Sequence, residues 1–155
     1  MESVVVSCDT AAGRITLTGK SGPSAYGPVA TVVTGRGPLA AAQCAPGGEV
    51  FVALSVGEEV LAVDVSAARV AGRVRVGWAP RSLTPVPGTP YLLVANAGSD
   101  SVSVVDTQLR AEAARIPVGR EPGQIAVGGD GTLAVVCERG AGTVAALDLE
   151  PLARG

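Results

Sequence analysis

Gly77-Trp78-Ala79-Pro80, then Tyr91-Leu92-Leu93-Val94-Ala95-Asn96, Ser101-Val102-Ser103-Val104-Val105-Asp106-Thr107 and Ile116-Pro117-Val118-Gly119 form the stretch that decides the fold, because its landmarks recur 42 residues away. Gly35, Gly77 and Gly119 keep that step, as do Pro38, Pro80 and Pro122. So do Asp64, Asp106 and Asp148, and Val60, Val102 and Val144. Val52, Val94 and Val136 agree, and so do Val32, Val74 and Ile116. Six positions in one register mark a repeat, and a repeat dictates how the chain is divided.

Each unit reads as four short strands. Tyr91 to Ala95 is an unbroken apolar run that ends in the loop Asn96-Ala97-Gly98-Ser99-Asp100. Val102 to Val105 follows and closes on Asp106-Thr107, and Ala113 to Val118 ends at Gly119. Short runs punctuated by Gly, Pro, Asn and Asp point to an antiparallel meander. Leu109 to Arg115 is rich in helix formers. Its counterpart, Arg69 to Val76, has Val70, Val74 and Val76 at even spacing, so both are read as strands.

Four antiparallel strands in about 42 residues is the size of one β-propeller blade. Inner strands lie between neighbouring blades, so they should be apolar on both faces. Phe51-Val52-Ala53-Leu54, Leu92 to Ala95 and Leu133-Ala134-Val135-Val136 have that character. Val74-Arg75-Val76 alternates, as an outer strand should. The run from Tyr91 through Asp106-Thr107 to Ile116-Pro117-Val118-Gly119 and Pro122 resembles the repeat of YVTN-type β-propellers. The likeness spans roughly 35–150 and is best over 80–131. It implies a fold and a repeat phase. For function it leaves several classes open, since such propellers include lactonase-like enzymes, electron-transfer subunits, surface-layer proteins and binding scaffolds.

The expected fold class is therefore all-β, a β-propeller of four-stranded antiparallel blades forming an incomplete ring in one chain. The whole of 1–155 is read as one partial-propeller domain, with units near 1–37, 38–79, 80–121 and 122–155. Three strands are expected near Val4–Ser7, Arg14–Thr18 and Val29–Val33, four in 38–76, four in 80–118 and three in 122–149. That is about three and a half blades, whereas closed rings have roughly four to eight. Open ends expose apolar faces and strand edges. The expectation is self-association or a missing propeller remainder, with a curved open arc as the third outcome.

Composition sets the outer bounds. The 155 residues are 47% apolar and 17% charged, and no apolar stretch approaches the ~20 residues of a membrane-spanning helix. A formal charge of -2 argues against a broadly basic nucleic-acid surface, so no nucleic-acid partner is expected. No histidine occurs, which removes histidine triads, histidine metal sites and histidine-ligated haem. Cys8, Cys44 and Cys137 form no C-x-x-C pair, and neither a disulfide framework nor a zinc site follows. Cys44 and Cys137 fall where small buried residues belong, and Cys8 lies at a strand end. Met1-Glu2-Ser3 runs straight into an apolar strand without a basic leader. Cytoplasmic residence is the default expectation, with an extracytoplasmic one if the chain is a fragment.

Candidate binding residues come from one end of the expected ring. There the inter-blade connections Gly35-Arg36-Gly37-Pro38, Gly77-Trp78-Ala79-Pro80 and Gly119-Arg120-Glu121-Pro122 meet the loops between second and third strands. The recurring Gly is read as a positive-φ residue and the Pro as a turn residue. The position after the Gly varies, giving Arg36, Trp78 and Arg120, a cationic and aromatic set suited to an anionic or planar ligand. Arg81, Asn96, Asp100, Glu138 and Arg139 complete the candidate ligand-binding set. Glu58, Glu59 and Ser99 lie in the same loops. Their carboxylate and amide oxygens could hold a hard cation, but no EF-hand spacing is present, so no metal and no cofactor are expected. Glu138 with Asp100 has no spacing that marks an acid/base pair, and no catalytic residue is assigned. The recurring Asp64, Asp106 and Asp148 are read as turn caps. Gly19 to Pro28 contains Gly-Lys-Ser without the first Gly of a phosphate loop, and it is read as a flexible insert.

The function expected is a non-catalytic scaffold that presents its inter-blade loops to a protein partner or a small anionic ligand. The alternative is a lactonase-like propeller hydrolase that uses carboxylates and Arg at the channel mouth. An electron-transfer subunit is a third reading, and no haem-attachment motif supports it.

Overall fold

Val52, Val94 and Val136 each sit in a strand of a separate antiparallel sheet, at equivalent positions. A computed structural model describes residues 4–20, 23, 25–45 and 48–153. The first sheet holds β1 (Val5–Asp9), β2 (Arg14–Lys20) and β3 (Tyr26–Val33). The second holds β4 (Pro38–Ala42), β5 (Val50–Leu54), β6 (Glu59–Asp64) and β7 (Arg69–Arg75). The third holds β8 (Pro80–Pro85), β9 (Tyr91–Asn96), β10 (Ser101–Asp106) and β11 (Ala111–Pro117). The fourth holds β12 (Pro122–Val127), β13 (Leu133–Glu138) and β14 (Thr143–Asp148), with a short helix, α1 (Glu150–Ala153), after it. Every sheet is a simple meander in chain order.

The sheets stack face to face because their strands are apolar on both sides. Ile15, Leu17 and Val32 of the first pack on Val50, Val52, Leu61 and Val63 of the second. Phe51, Val60, Ala62 and Val74 turn the other way onto Leu92, Val94 and Val105 of the third. Leu93, Ala95, Val102 and Val104 then meet Ile125, Ala134, Val136 and Leu147 of the fourth. Adjacent residues of one strand thus feed different interfaces, which a two-residue period dictates. Burying a Val or Leu side chain contributes roughly 1.5–3 kcal/mol, so these layers dominate stability. Innermost strands are also bonded across an interface. Ser82 Oγ donates to the Gly123 carbonyl at 2.6 Å, and Thr84 Oγ1 to that of Ile125 at 2.9 Å.

The repeated aspartates cap turns. Asp64 Oδ1 accepts from Ala67 N–H, Asp106 Oδ1 from Gln108 and Leu109 N–H, and Asp148 Oδ1 from Glu150 N–H, all at 2.9–3.0 Å. Ala111 to Arg115 is strand despite its helix-forming composition, because β10 pairs with it antiparallel on both sides of a bulge at Ala113.

Three sequence expectations change. Much of the presumed loop 19–28 is hairpin: Gly19 pairs with Gly27 and Lys20 with Tyr26, while 21, 22 and 24 lie outside the described residues. Leu133 to Val136 was expected to be buried on both faces, yet β13 alternates between exposed and buried, with Leu133 50% exposed. Cys137 is exposed for the same reason: its sheet has another sheet on one face only. Helix α1 was not anticipated. Leu149 just before it and Leu152 within it pack onto the layer between the third and fourth sheets. Among the described residues no helix is long and apolar enough to cross a membrane.

Candidate functional site

The three inter-blade connections are clamped to hairpins on both sides by bonds that repeat with the sequence. Within their own sheets, the carbonyls of Gly37, Ala79 and Glu121 accept from the N–H groups of Ser55, Ala97 and Arg139 at 2.9–3.1 Å. The carbonyls of Trp78 and Arg120 accept from Gly98 and Gly140, both at 3.0 Å. Toward the preceding sheet, Ala79 N–H donates to the Gly57 carbonyl at 2.8 Å and Glu121 N–H to Asp100 Oδ1 at 3.0 Å. Trp78 N–H donates to Ser99 Oγ at 2.8 Å. Connections and second-to-third-strand hairpins therefore form one continuous loop end.

The recurring glycines work differently from the expectation. Only Gly35 of the three has a positive φ, +77°. The left-handed residue in every connection is two positions later: Gly37 at 64°, Ala79 at 50° and Glu121 at 52°. Gly77 and Gly119 are needed for space. A Cβ on Gly77 would lie 2.8 Å from Asn96 Cγ, and one on Gly119 would lie 2.6 Å from Glu138 Cδ.

Two of the candidate residues consequently lie beneath the loop end. Asn96 is fully buried, and its Nδ2 donates to Ser101 Oγ at 3.1 Å and Ser103 Oγ at 2.8 Å. Ser103 Oγ donates in turn to Glu112 Oε2, while Asn96 Oδ1 has no partner among the described residues. Glu138 is buried too, accepting from Gly119 N–H and from Thr143 Oγ1. Asp100 is exposed, and one of its oxygens is used by Glu121 N–H.

Arg36, Trp78, Arg81, Arg120 and Arg139 are exposed at this end, Trp78 by 52%. Two adjoining clefts open here. One of about 340 Å³ is lined by Thr34, Gly35, Arg36, Leu54, Val56, Gly57, Glu58, Glu59 and Arg73. The other, of about 420 Å³, shares Gly57, Glu58, Glu59 and Arg73 and adds Arg75 and Trp78. The β5–β6 turn is the ridge between them. Arg36 and Trp78 are thus brought to one paired cleft, and Arg81, Arg120, Arg139 and Asp100 line neither part.

Arg73 and Arg75 were not singled out from the sequence. Arg73 Nη1 reaches Glu59 Oε2 at 2.6 Å and Arg75 Nη2 reaches Glu58 Oε2 at 2.9 Å. Two glutamates and two alternating arginines on strands predicted to pair were the available signal. The pairs cancel charge on the ridge. By contrast, Arg36, Arg81, Arg120 and Arg139 take part in no ion pair or side-chain hydrogen bond among the described residues. Arg69, the other unpaired arginine among the described residues, starts β7 at the opposite end.

No protein-family model matches the sequence, and no curated protein matches it at a significant level. Solved structures do. The chain is similar to part of hydrazine synthase from Kuenenia stuttgartiensis, with 32% identity and a TM-score of 0.69 over 74% of this chain and 33% of that one. It is also similar to a protein of Bacteroides uniformis provisionally called a 6-phosphogluconolactonase, with a TM-score of 0.81 and 13% identity. That match covers 96% of this chain and 51% of the other. The chain therefore spans about a third and about half of these two proteins. At 13% identity the second likeness is one of fold. With four stacked antiparallel meanders and propeller-type neighbours, this chain has the fold of a β-propeller, built as an incomplete ring.

Proposed function

We propose that this chain is a non-catalytic propeller scaffold whose loop end binds a small anionic ligand. The observation that carries the reading is the segregation of its arginines. Arg14, Arg73, Arg75, Arg110 and Arg115 are ion-paired, while of the five described arginines without an ion pair four, Arg36, Arg81, Arg120 and Arg139, stand around the loop end with Trp78 and one, Arg69, lies at the other end. An unpaired guanidinium offers a planar fork to phosphate or carboxylate, and an exposed indole offers a face for stacking. The likeness of the repeat to YVTN-type propellers is compatible with this role, since binding scaffolds occur among them.

The second reading is a lactonase-like hydrolase, favoured by the cleft that holds Glu58 and Glu59 beside Arg36 and by the name of the Bacteroides uniformis neighbour. Each glutamate is engaged by an arginine, so neither presents a free carboxylate to a substrate in the cleft. The two readings separate in one experiment. Calorimetric titration with 6-phosphogluconate, which carries both a phosphate and a carboxylate, is run beside a turnover assay on its lactone. Saturable binding without turnover supports the scaffold. Turnover lost in Glu58→Gln or Glu59→Gln supports the hydrolase, and absence of binding overturns both.

A further inference from the structure

The three inter-blade connections repeat in sequence but differ in what their backbone N–H groups meet. In the third, two of the chain's own carboxylates dock: Gly119 N–H donates to Glu138 Oε2, and Glu121 N–H to Asp100 Oδ1 at 3.0 Å. In the second, Trp78 N–H donates to Ser99 Oγ and Ala79 N–H to the Gly57 carbonyl, both at 2.8 Å. In the first, Gly35 N–H reaches the Gly13 carbonyl at 3.0 Å. This is the one connection in which two adjacent N–H groups, those of Arg36 and Gly37, lack a partner among the described residues. Gly37 is buried, and a buried N–H group is normally satisfied.

The missing partners are two absent side chains. Thr34, Val76 and Val118 N–H donate to the carbonyls of Gly13, Glu58 and Asp100, which sets those three at one repeat position. Gly13 therefore stands where Asp100 supplies its carboxylate to Glu121 N–H. Glu58, the remaining member, gives its carboxylate to Arg75. Gly57, 42 residues before Ser99, stands where that serine supplies its hydroxyl to Trp78 N–H. The space is open as well. A Cβ on Gly35 would meet nothing within 4 Å, whereas Gly77 abuts Asn96 and Gly119 abuts Glu138. Leu54 occupies the repeat position of those two polar side chains, and with Thr34, Gly35, Arg36 and Gly57 it lines the cleft of about 340 Å³.

We propose that the first connection is a carboxylate cradle, in which the N–H groups of Arg36 and Gly37 and the unpaired Arg36 guanidinium hold the carboxylate of a small organic acid whose body lies in the adjoining cleft. This rests on the reading of the loop end as an anion site and narrows it to one connection and one class of anion. Asp100 and Glu138 are the chain's own examples of the group that fits. A carboxylate sets two oxygens in one plane, which adjacent N–H donors and the planar fork of a guanidinium match, and bonds to an ionised acceptor are the stronger kind. Positive φ at Gly35 (77°) and Gly37 (64°), on either side of Arg36, is the alternation found in anion-binding backbone concavities.

Calorimetric titration with gluconate, which carries only a carboxylate, and with glucose 6-phosphate, which carries only a phosphate, tests this beside amide NMR spectra. Gluconate should saturate one site and move the Arg36 and Gly37 amide protons downfield, and glucose 6-phosphate should bind about tenfold or more weakly. Gly13→Asp restores the carboxylate that Asp100 provides elsewhere, on a residue whose Cβ would meet the Gly35 backbone at an ordinary 3.4 Å. It should weaken gluconate binding by about tenfold to a hundredfold. Gly13→Ala adds the same Cβ without the carboxylate, in a left-handed conformation that Ala68 and Ala79 also hold, and should bind as before. Gluconate that moves the amides of Arg81, Arg120 or Arg139 instead, or glucose 6-phosphate that binds as tightly, overturns the cradle and leaves anion binding at the loop end standing. So does undiminished gluconate binding by a folded Gly13→Asp chain. No binding of either probe overturns the cradle, and the anion reading falls with it only if 6-phosphogluconate is not bound either. The amide shifts are read on the unsubstituted chain and stand even if Gly13→Asp misfolds.

Discussion

Gly77 lies directly over the Asn96 amide, so close that a Cβ would stand 2.8 Å from Asn96 Cγ and 2.9 Å from Nδ2. The connection and the strand beneath it are therefore specified together. Gly77→Ala should cost roughly 1–3 kcal/mol, the range for overpacking a well-filled interior, read from urea denaturation. In an Asn96→Ala background the same change should cost measurably less, because the two sites share one contact. Additive costs would show that the close approach is not what requires glycine.

Ala79 and Glu121 hold left-handed backbone at φ 50° and 52°, where a Cβ is unfavourable and Gly37 stands in the matching connection. Ala79→Gly should therefore stabilise the fold by about 0.5–1 kcal/mol, a reversal of the usual effect of glycine. The denaturation midpoint should rise with an unchanged slope.

Arg110 fastens the second and third sheets at the end away from the clefts. Its Nη2 and Nε reach the two Glu49 carboxylate oxygens at 2.5 and 2.9 Å, and its side chain crosses the bare face of Gly72. Glu49 beside it raises the guanidinium pKa above its already high value, so Arg110 stays charged at any ordinary pH. Arg110→Met should lower the melting temperature in low salt, and the deficit should shrink as salt is added.

The thiols should react in a defined order. Burial raises the pKa of Cys8 and of Cys44, so each keeps its proton to higher pH than an ordinary thiol. Cys137 is exposed. At mildly alkaline pH and low protein concentration, alkylation should modify Cys137 first. Cys8 and Cys44 should follow only as pH rises through their elevated pKa values. Because unfolded thiols ionise earlier than these two, stability should also decline as pH passes the ordinary thiol value.

The repeat made the sheets legible before any coordinates, since Gly, Pro, Asp and Val at a step of 42 can be counted. The limits of that reading lie in what a periodic pattern leaves out. Val135 resembles Leu93 in sequence, yet one is exposed and the other buried, because burial depends on a neighbouring sheet. Gly77 looked like a turn glycine, and the reason for it lies 19 residues away at Asn96. Arg36 and Trp78 were found because they vary at a fixed position. Arg73 and Arg75 were passed over because they alternate like any outer strand, and only their glutamate partners tie them to the clefts.

Trp78, the sole tryptophan, stands half-exposed in one of the paired clefts and reports on them without a label. Its fluorescence, followed while 6-phosphogluconate is added at several salt concentrations, tests anion binding at the loop end most directly. The account predicts a saturable change whose midpoint moves to higher ligand concentration with salt and which is lost in Arg36→Ser. An emission that stays constant throughout, or a change indifferent to both salt and Arg36, would contradict it.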